Sequence, residues 1–260
     1  LPATDLALLI DAARAAGQIA LGYRGPEARR WEKPDGTGPV TEADIAVNDM
    51  LERHLRTARP DYGWLSEETE DDPARLQADR VFIVDPIDGT RSFAEGGRAW
   101  AHALAVADRG GVTAGVIYLP ALDLIYTAAP GQGARLNGEP IAASPQAEPD
   151  RARVLAARPV TEAEHWRDGH APRFSRHLRP SLAYRMGLVA QGRFDAMITL
   201  RPCWEWDVAA GDLILREAGA TCTDRRGGAL RFNNPRPQLD GVIAGGAALH
   251  RRLAAALRPA

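Results

Sequence analysis

Val81-Phe82-Ile83-Val84 runs without interruption into Asp85-Pro86-Ile87-Asp88-Gly89-Thr90. Four apolar residues with no polar alternation read as a buried strand, and Asp85-Pro86 is expected to end it because proline brings no N–H to a ladder. With 260 residues and 45% hydrophobic side chains, the chain is large enough to surround such a strand with a substantial core. Asp85 and Asp88 face one space only if the backbone turns sharply beyond the strand, and Gly89 permits that turn. If a helix starts near Thr90, its first amides point into the same space and can hold an anion. Carboxylates for cations beside amides for a phosphate suit a metal-assisted reaction on a phosphate ester. A purely structural explanation competes: Asp88-Gly89 as ordinary turn residues and Asp85 as a helix cap.

Around this segment the periodicities predict a mixed chain, α+β or α/β. Leu6, Leu9, Ile10, Ala13, Ala16 and Ala20 share one face of a helix over 6–23, and a second helix runs from Thr41 to about Arg59. Strands over 101–107, 113–119 and 123–128 have the spacing of an antiparallel meander. Pro140 to Pro149 is the expected boundary between an N-terminal subdomain (1–145) and a C-terminal one (146–260). Beyond it the expected order is a strand at 153–157, a helix at 181–191, a strand at 194–200, a helix at 208–218 and a strand at 241–244.

The 32 Lys and Arg nearly balance the 34 Asp and Glu, so no global attraction to a nucleic-acid polymer or an anionic membrane is implied. Cys203 and Cys222 show no paired ligand spacing and read as buried thiols in a reducing compartment, so the expected location is cytoplasmic. No apolar run reaches the ~18 residues of a membrane span, and the amphipathic N-terminus with Asp5, Asp11 and Arg14 does not read as a secretory signal. Among the six histidines none has metal-ligand spacing, which argues against zinc.

Three further acidic positions matter, each with a structural explanation of its own. Thr41-Glu42-Ala43-Asp44 has the form of a capping box, Glu67 and Glu68 could be surface charge in a solvated loop, and Asp207 could cap a helix. Taken in order, however, Trp64-Leu65-Ser66-Glu67-Glu68, Val84-Asp85-Pro86-Ile87-Asp88-Gly89-Thr90 and Trp206-Asp207-Val208-Ala209-Ala210-Gly211 resemble the signature motifs of the inositol monophosphatase superfamily. The resemblance implies a layered αβαβα sandwich of the inositol monophosphatase and fructose-1,6-bisphosphatase type. It also implies a phosphomonoesterase run by two or three Mg²⁺ and often inhibited by Li⁺. Glu67, Asp85, the Ile87 carbonyl, Asp88 and Asp207 are similar to the family's metal ligands. Thr90 and Asp44 match the residues that activate the attacking water, and the Gly89 and Thr90 amides match its phosphate donors. Carboxylates gathered this closely would repel by a few kcal/mol per pair at an effective dielectric near ~20, so they require cations or protons. Asp44 is too acidic for a base near neutral pH unless burial or its neighbours raise its pKa.

The choice of ester rests on less. The family's inositol-selective members carry an acidic residue where Leu200 stands here. Arg185 and Arg201 could instead face a second phosphate, or simply be solvated surface arginines. Segments such as Trp31-Glu32-Lys33-Pro34 and Pro39 to Asp44 look most like the bacterial CysQ branch of 3'(2'),5'-bisphosphate nucleotidases. Inositol-1-monophosphatase, histidinol-phosphate phosphatase and a nucleotide- or metal-sensing binding protein are the alternatives, and a homodimer is within the family's habit. Lys33, the only lysine in the chain, falls where the family has a lysine on an active-site loop; drift toward arginine that spared one lysine explains it equally well.

Overall fold

The protein is described by a computed structural model covering residues 4–23, 29–32 and 38–259. Helix α1 (Asp5–Gly22) starts on the Thr4 hydroxyl, which accepts the Ala7 amide at 3.2 Å. A short hairpin of β1 (Arg30–Glu32) and β2 (Pro39–Thr41) leads into α2 (Glu42–Ala58). There follow β3 (Gly63–Ser66), β4 (Arg80–Asp88), the short α3 (Thr90–Ala94), β5 (Ala101–Asp108), β6 (Gly111–Leu119), β7 (Leu124–Ala128), β8 (Ala134–Leu136) and β9 (Glu139–Ile141). Strands β3 to β9 form one seven-stranded sheet in sequence order, with only β3 and β4 parallel.

Residues 142–148 carry the chain to the second half, where β10 (Arg153–Ala156), β11 (Ser175–His177) and α4 (Leu182–Ala190) come first. Next are β12 (Ala196–Thr199), β13 (Cys203–Trp204), α5 (Glu205–Glu217), β14 (Ala220–Thr223), β15 (Gln238–Leu239), β16 (Val242–Gly246) and α6 (Ala247–Ala256). A five-stranded sheet has the order β11-β10-β12-β16-β14.

Side-chain alternation sorts these elements into five layers. In β4 and β5, Val81, Ile83, Ala103 and Ala105 pack toward α4 and α5, with Leu213 and Ile214. Their neighbours Phe82, Val84, Leu104 and Val106 pack toward α1 and α2, with Leu9 and Leu51. The run Val81–Val84 lacks a polar member because helices cover both faces of its sheet. The α4/α5 layer also meets Leu155, Met197 and Ala244 of the five-stranded sheet, whose other face packs Val154, Ile198 and Ile243 against Leu249 and Leu253 of α6. The order is α1/α2, seven-stranded sheet, α4/α5, five-stranded sheet, α6: the expected αβαβα sandwich. Gly115 on β6 lets α5 lie close, since a Cβ there would stand 2.9 Å from the Ala210 carbonyl oxygen.

Two expectations need correction. Strand β4 does not end at Asp85-Pro86 but continues to Asp88, because a bulge absorbs the residue that cannot donate. Asp207 is not the N-cap residue: α5 starts at Glu205 after Trp204, and Asp207 lies in the first turn, where its carboxylate accepts the Trp204 amide.

Candidate active site

Asp85 pairs with Ala103 and Asp88 with Ala101, so β4 places two residues, Pro86 and Ile87, opposite the single His102 of β5. This bulge twists both carboxylates toward one space. Gly89 follows at φ 95°, a left-handed conformation, and α3 begins at Thr90. A Cβ on Gly89 would also meet the Ala99 carbonyl oxygen at 3.1 Å.

Asp44 is buried in the first turn of α2. Its Oδ2 accepts the Thr41 amide at 2.8 Å and the Thr41 hydroxyl at 2.5 Å, and its Oδ1 lies 3.2 Å from the Thr90 hydroxyl. The capping box is therefore real, and the same carboxylate reaches the bulge. Thr90 Oγ1 is also 3.0 Å from the Ile87 carbonyl oxygen. Half-buried Glu67 follows β3, tied by its amide to the Val84 carbonyl at 3.2 Å. Asp207 accepts the Trp204 amide at 3.2 Å, and Asp85, Asp88 and Asp207 each offer a carboxylate oxygen within 4.8 Å of the others.

The electrostatics of this cluster are those of an acidic site that calls for cations. Burial, then the charges of Glu67, Asp88 and Asp207, push the Asp85 carboxyl well above the usual carboxylate range. Burial and the charges of Asp88 and Glu67 do the same to Asp207. Asp88 is raised less freely, because burial is opposed by hydrogen bonds from Ser181, Ala183 and Leu182. Asp44 is pushed up to about 6, chiefly by burial and further by Glu67, against the hydrogen bonds from Thr41. The condition set by sequence for Asp44 as a base near neutral pH is thus met. Both oxygens of Asp85 are buried and meet no hydrogen-bond donor. Orphaned anionic oxygens in an all-oxygen cluster fit hard divalent cations.

Arg185 and Arg201 border a pocket of about 470 Å³ with Ala157, Pro159, Val160, His165, Leu178, Ile198, Thr199 and Leu200. Arg185 is half-buried and held by the Arg179 and Pro180 carbonyls at 2.5 and 3.2 Å, and it interacts with the charges of Asp88 and Asp207. It is no freely solvated arginine, whereas Arg201 is exposed. Lys33 lies outside the described residues.

Two residues at this site were not anticipated. Ser181 caps α4 by accepting the Tyr184 amide at 2.9 Å, and its hydroxyl donates to Asp88 Oδ2 at 2.6 Å; the Ala183 amide adds a third contact at 2.6 Å. A serine before an apolar helix was legible as a cap, but not its partner across the fold. His102, fully buried, donates from Nδ1 to the Pro86 carbonyl and is held near-neutral by burial, its pKa lowered to about 4. No local sequence signal marks it.

Comparison with known proteins gives the family and the fold. Residues 2–260 match the inositol monophosphatase family, to which the chain belongs, and it is accordingly a hydrolase of phosphate monoesters. It is 33% identical over 262 residues to a histidinol-phosphatase from Chlorobaculum parvum, covering 97% of this chain and 96% of the relative. It is 34% identical over 256 residues to a 3'-phosphoadenosine 5'-phosphate phosphatase from Mycobacterium leprae, covering 92% and 88% respectively. The solved structure of an IMPase from Thermotoga maritima superposes with a TM-score of 0.83 at 29% identity, covering 96% of this chain and 95% of that one.

Proposed function

We propose that the protein is a Mg²⁺-dependent 3'(2'),5'-bisphosphate nucleotidase that converts adenosine 3',5'-bisphosphate to AMP and phosphate. The observation that carries the choice of ester is the pocket bordered by Arg185, which interacts with the charges of Asp88 and Asp207; Pro159, Val160, Leu178, Ile198 and Leu200 supply its apolar walls and Arg185 and Arg201 its positive charge. A leaving group with a flat aromatic base and a second phosphate matches both features. Protonated histidinol would bring an ammonium toward two arginines, and an inositol ring would offer the apolar walls no hydrophobic partner.

In this reading Glu67, Asp85, the Ile87 carbonyl, Asp88 and Asp207 hold two or three Mg²⁺. When bound, those ions supply Lewis-acid polarisation of the phosphoryl oxygens. The Gly89 and Thr90 amides hold the phosphate. The Thr90 hydroxyl donates to Asp44 Oδ1 and accepts from the attacking water. As the water oxygen bonds to phosphorus in line, its proton moves through Thr90 to Asp44, and the bond to the leaving nucleoside oxygen breaks, that oxygen taking up a proton from solvent water.

Steady-state kinetics with Mg²⁺ on adenosine 3',5'-bisphosphate, inositol 1-phosphate and histidinol phosphate test the substrate. The expected kcat/KM favours the nucleotide by about tenfold or more, ~1.4 kcal/mol of transition-state discrimination. A similar preference for either other ester overturns the choice of nucleotide. No Mg²⁺-dependent release from any of them overturns the enzymatic reading as a whole.

A further inference from the structure

The bulge in β4 sets the buried Pro86 carbonyl against a side chain of the neighbouring strand. Opposite His102 stand two residues, and the first of them, Pro86, is buried and has no N–H of its own. Loss of a partner from a buried carbonyl costs roughly 1–3 kcal/mol, so a side-chain donor to this one helps to keep the bulge in shape. His102 provides it: its Nδ1 is bonded to the Pro86 carbonyl oxygen. Because a carbonyl only accepts, the proton is on Nδ1 and the imidazole tautomer is set.

The ring has little freedom to turn away. It meets the edge of Trp100 at a centroid distance of 5.5 Å and 75°, and lies 6.3 Å from the Tyr118 ring on β6. His102 itself is 0% exposed. The second carbonyl of the bulge, that of Ile87, faces the Thr90 hydroxyl at 3.0 Å. In the proposed relay the single Thr90 proton goes to Asp44, so His102 is the side-chain donor that holds the bulge, through the Pro86 peptide unit on the way from Asp85 to Asp88.

We infer that His102 is a positioning residue for the cation site, its Nδ1–H fixing the bulge that presents Asp85, the Ile87 carbonyl and Asp88 together. His102 touches neither substrate nor cation; it acts through the Pro86 peptide. The inference rests on the proposed reading of these carboxylates as a divalent-cation site. Partners one shell removed from a metal typically change its affinity by about 10–100-fold when lost.

Calorimetric titration of the purified protein with MgCl₂ tests it through two amide variants of similar polarity. In His102→Asn the side-chain amide can occupy the place of Nδ1–H, whereas in His102→Gln it sits near the position of Nε2. His102→Gln is expected to bind Mg²⁺ about 10–100-fold more weakly, with KM for the phosphate ester nearly unchanged at saturating Mg²⁺. His102→Asn is expected to stay within about threefold of wild type. Equal Mg²⁺ affinity in wild type and His102→Gln, or equal weakening in both variants, overturns the inference while leaving the cation site intact. A wild-type protein that takes up no Mg²⁺ overturns the functional reading beneath it. Should His102→Gln not fold, nitrogen-15 spectra of the wild-type imidazole decide. The expected result is the Nδ1–H tautomer with a resonance that shifts on saturation with Mg²⁺, and an Nε2–H tautomer or an unmoved resonance overturns the inference.

Discussion

Asp44 receives its hydrogen bonds from two threonines that reach it from different parts of the chain, Thr41 from its own helix cap and Thr90 from beyond the bulge. The first contact was readable in sequence, because a capping box is local; the second joins residues separated by 46 positions and exists only in the fold. The proposed proton path needs both groups. With Mg²⁺ saturating, Thr90→Ala and Asp44→Asn should each lower kcat by about 10²–10⁴-fold, the usual contribution of positioned acid–base groups. Turnover within about threefold of wild type in both variants would remove the relay. Arg185 makes the complementary point about single residues. Whether it was solvated or turned toward the site could not be decided from its neighbours in sequence: the Arg179 and Pro180 carbonyls that hold its guanidinium are local, but Asp88 and Asp207, whose charges it meets, come from β4 and α5.

At the scale of elements, four helices direct their first turns at the same carboxylates. Asp44 and Asp207 lie in the first turns of α2 and α5, Thr90 opens α3, and Asp88 accepts from Ser181, Leu182 and Ala183 at the start of α4. The positive ends of these helices favour the ionised acids by roughly 0.3–1 kcal/mol each, which lessens the mutual repulsion without removing it. Ser181→Ala takes away both a helix cap and a donor to Asp88. It should destabilise the fold by about 0.5–2 kcal/mol in urea unfolding and also weaken Mg²⁺ binding in calorimetry. Lost stability with unchanged Mg²⁺ affinity would reduce Ser181 to a cap alone. Long periodic elements such as α1, α2 and β5 to β7 were legible from sequence, because burial on one face imprints the helical or strand repeat. Strand β3, the short strands β8, β9, β11 and β13 to β15, and helix α6 were not. All of these strands have two to four residues, too few to display a period, and α6 carries only Leu249, His250 and Leu253 as buried residues among alanines and arginines.

For the whole molecule, the buried acids make stability, cation binding and pH a single question. Their pKa values are raised in the metal-free fold, Asp44 to about 6 and Asp85 and Asp207 well above the usual range. From about pH 4 up to those values, the native state therefore binds more protons through these groups than the unfolded chain does. Their contribution to the stability of the metal-free protein falls as pH rises through that window. Mg²⁺ competes with the same protons, so its stabilisation should grow with pH. At a concentration ~100 times Kd near pH 8, Mg²⁺ should raise Tm by on the order of 5–10 °C, and by clearly less at pH 5. Scanning calorimetry with and without Mg²⁺ at both pH values checks this, and an equal shift at both would mean that these carboxylates are not what the cation binds. The sequence by itself determined a mixed α and β chain and the local geometry that Gly89 and the α2 cap allow, because these follow from short-range periodicity and turn chemistry, while the layered arrangement and the motif-bearing acids were legible only through the family resemblance. Only the tertiary structure decided that β4 runs on through a bulge past Pro86, that His102 and Ser181 hold that bulge and Asp88 from other elements, and that Arg185 borders an apolar pocket. Those are contacts between distant segments, set by how five layers pack, and no local pattern encodes which buried polar group will meet which.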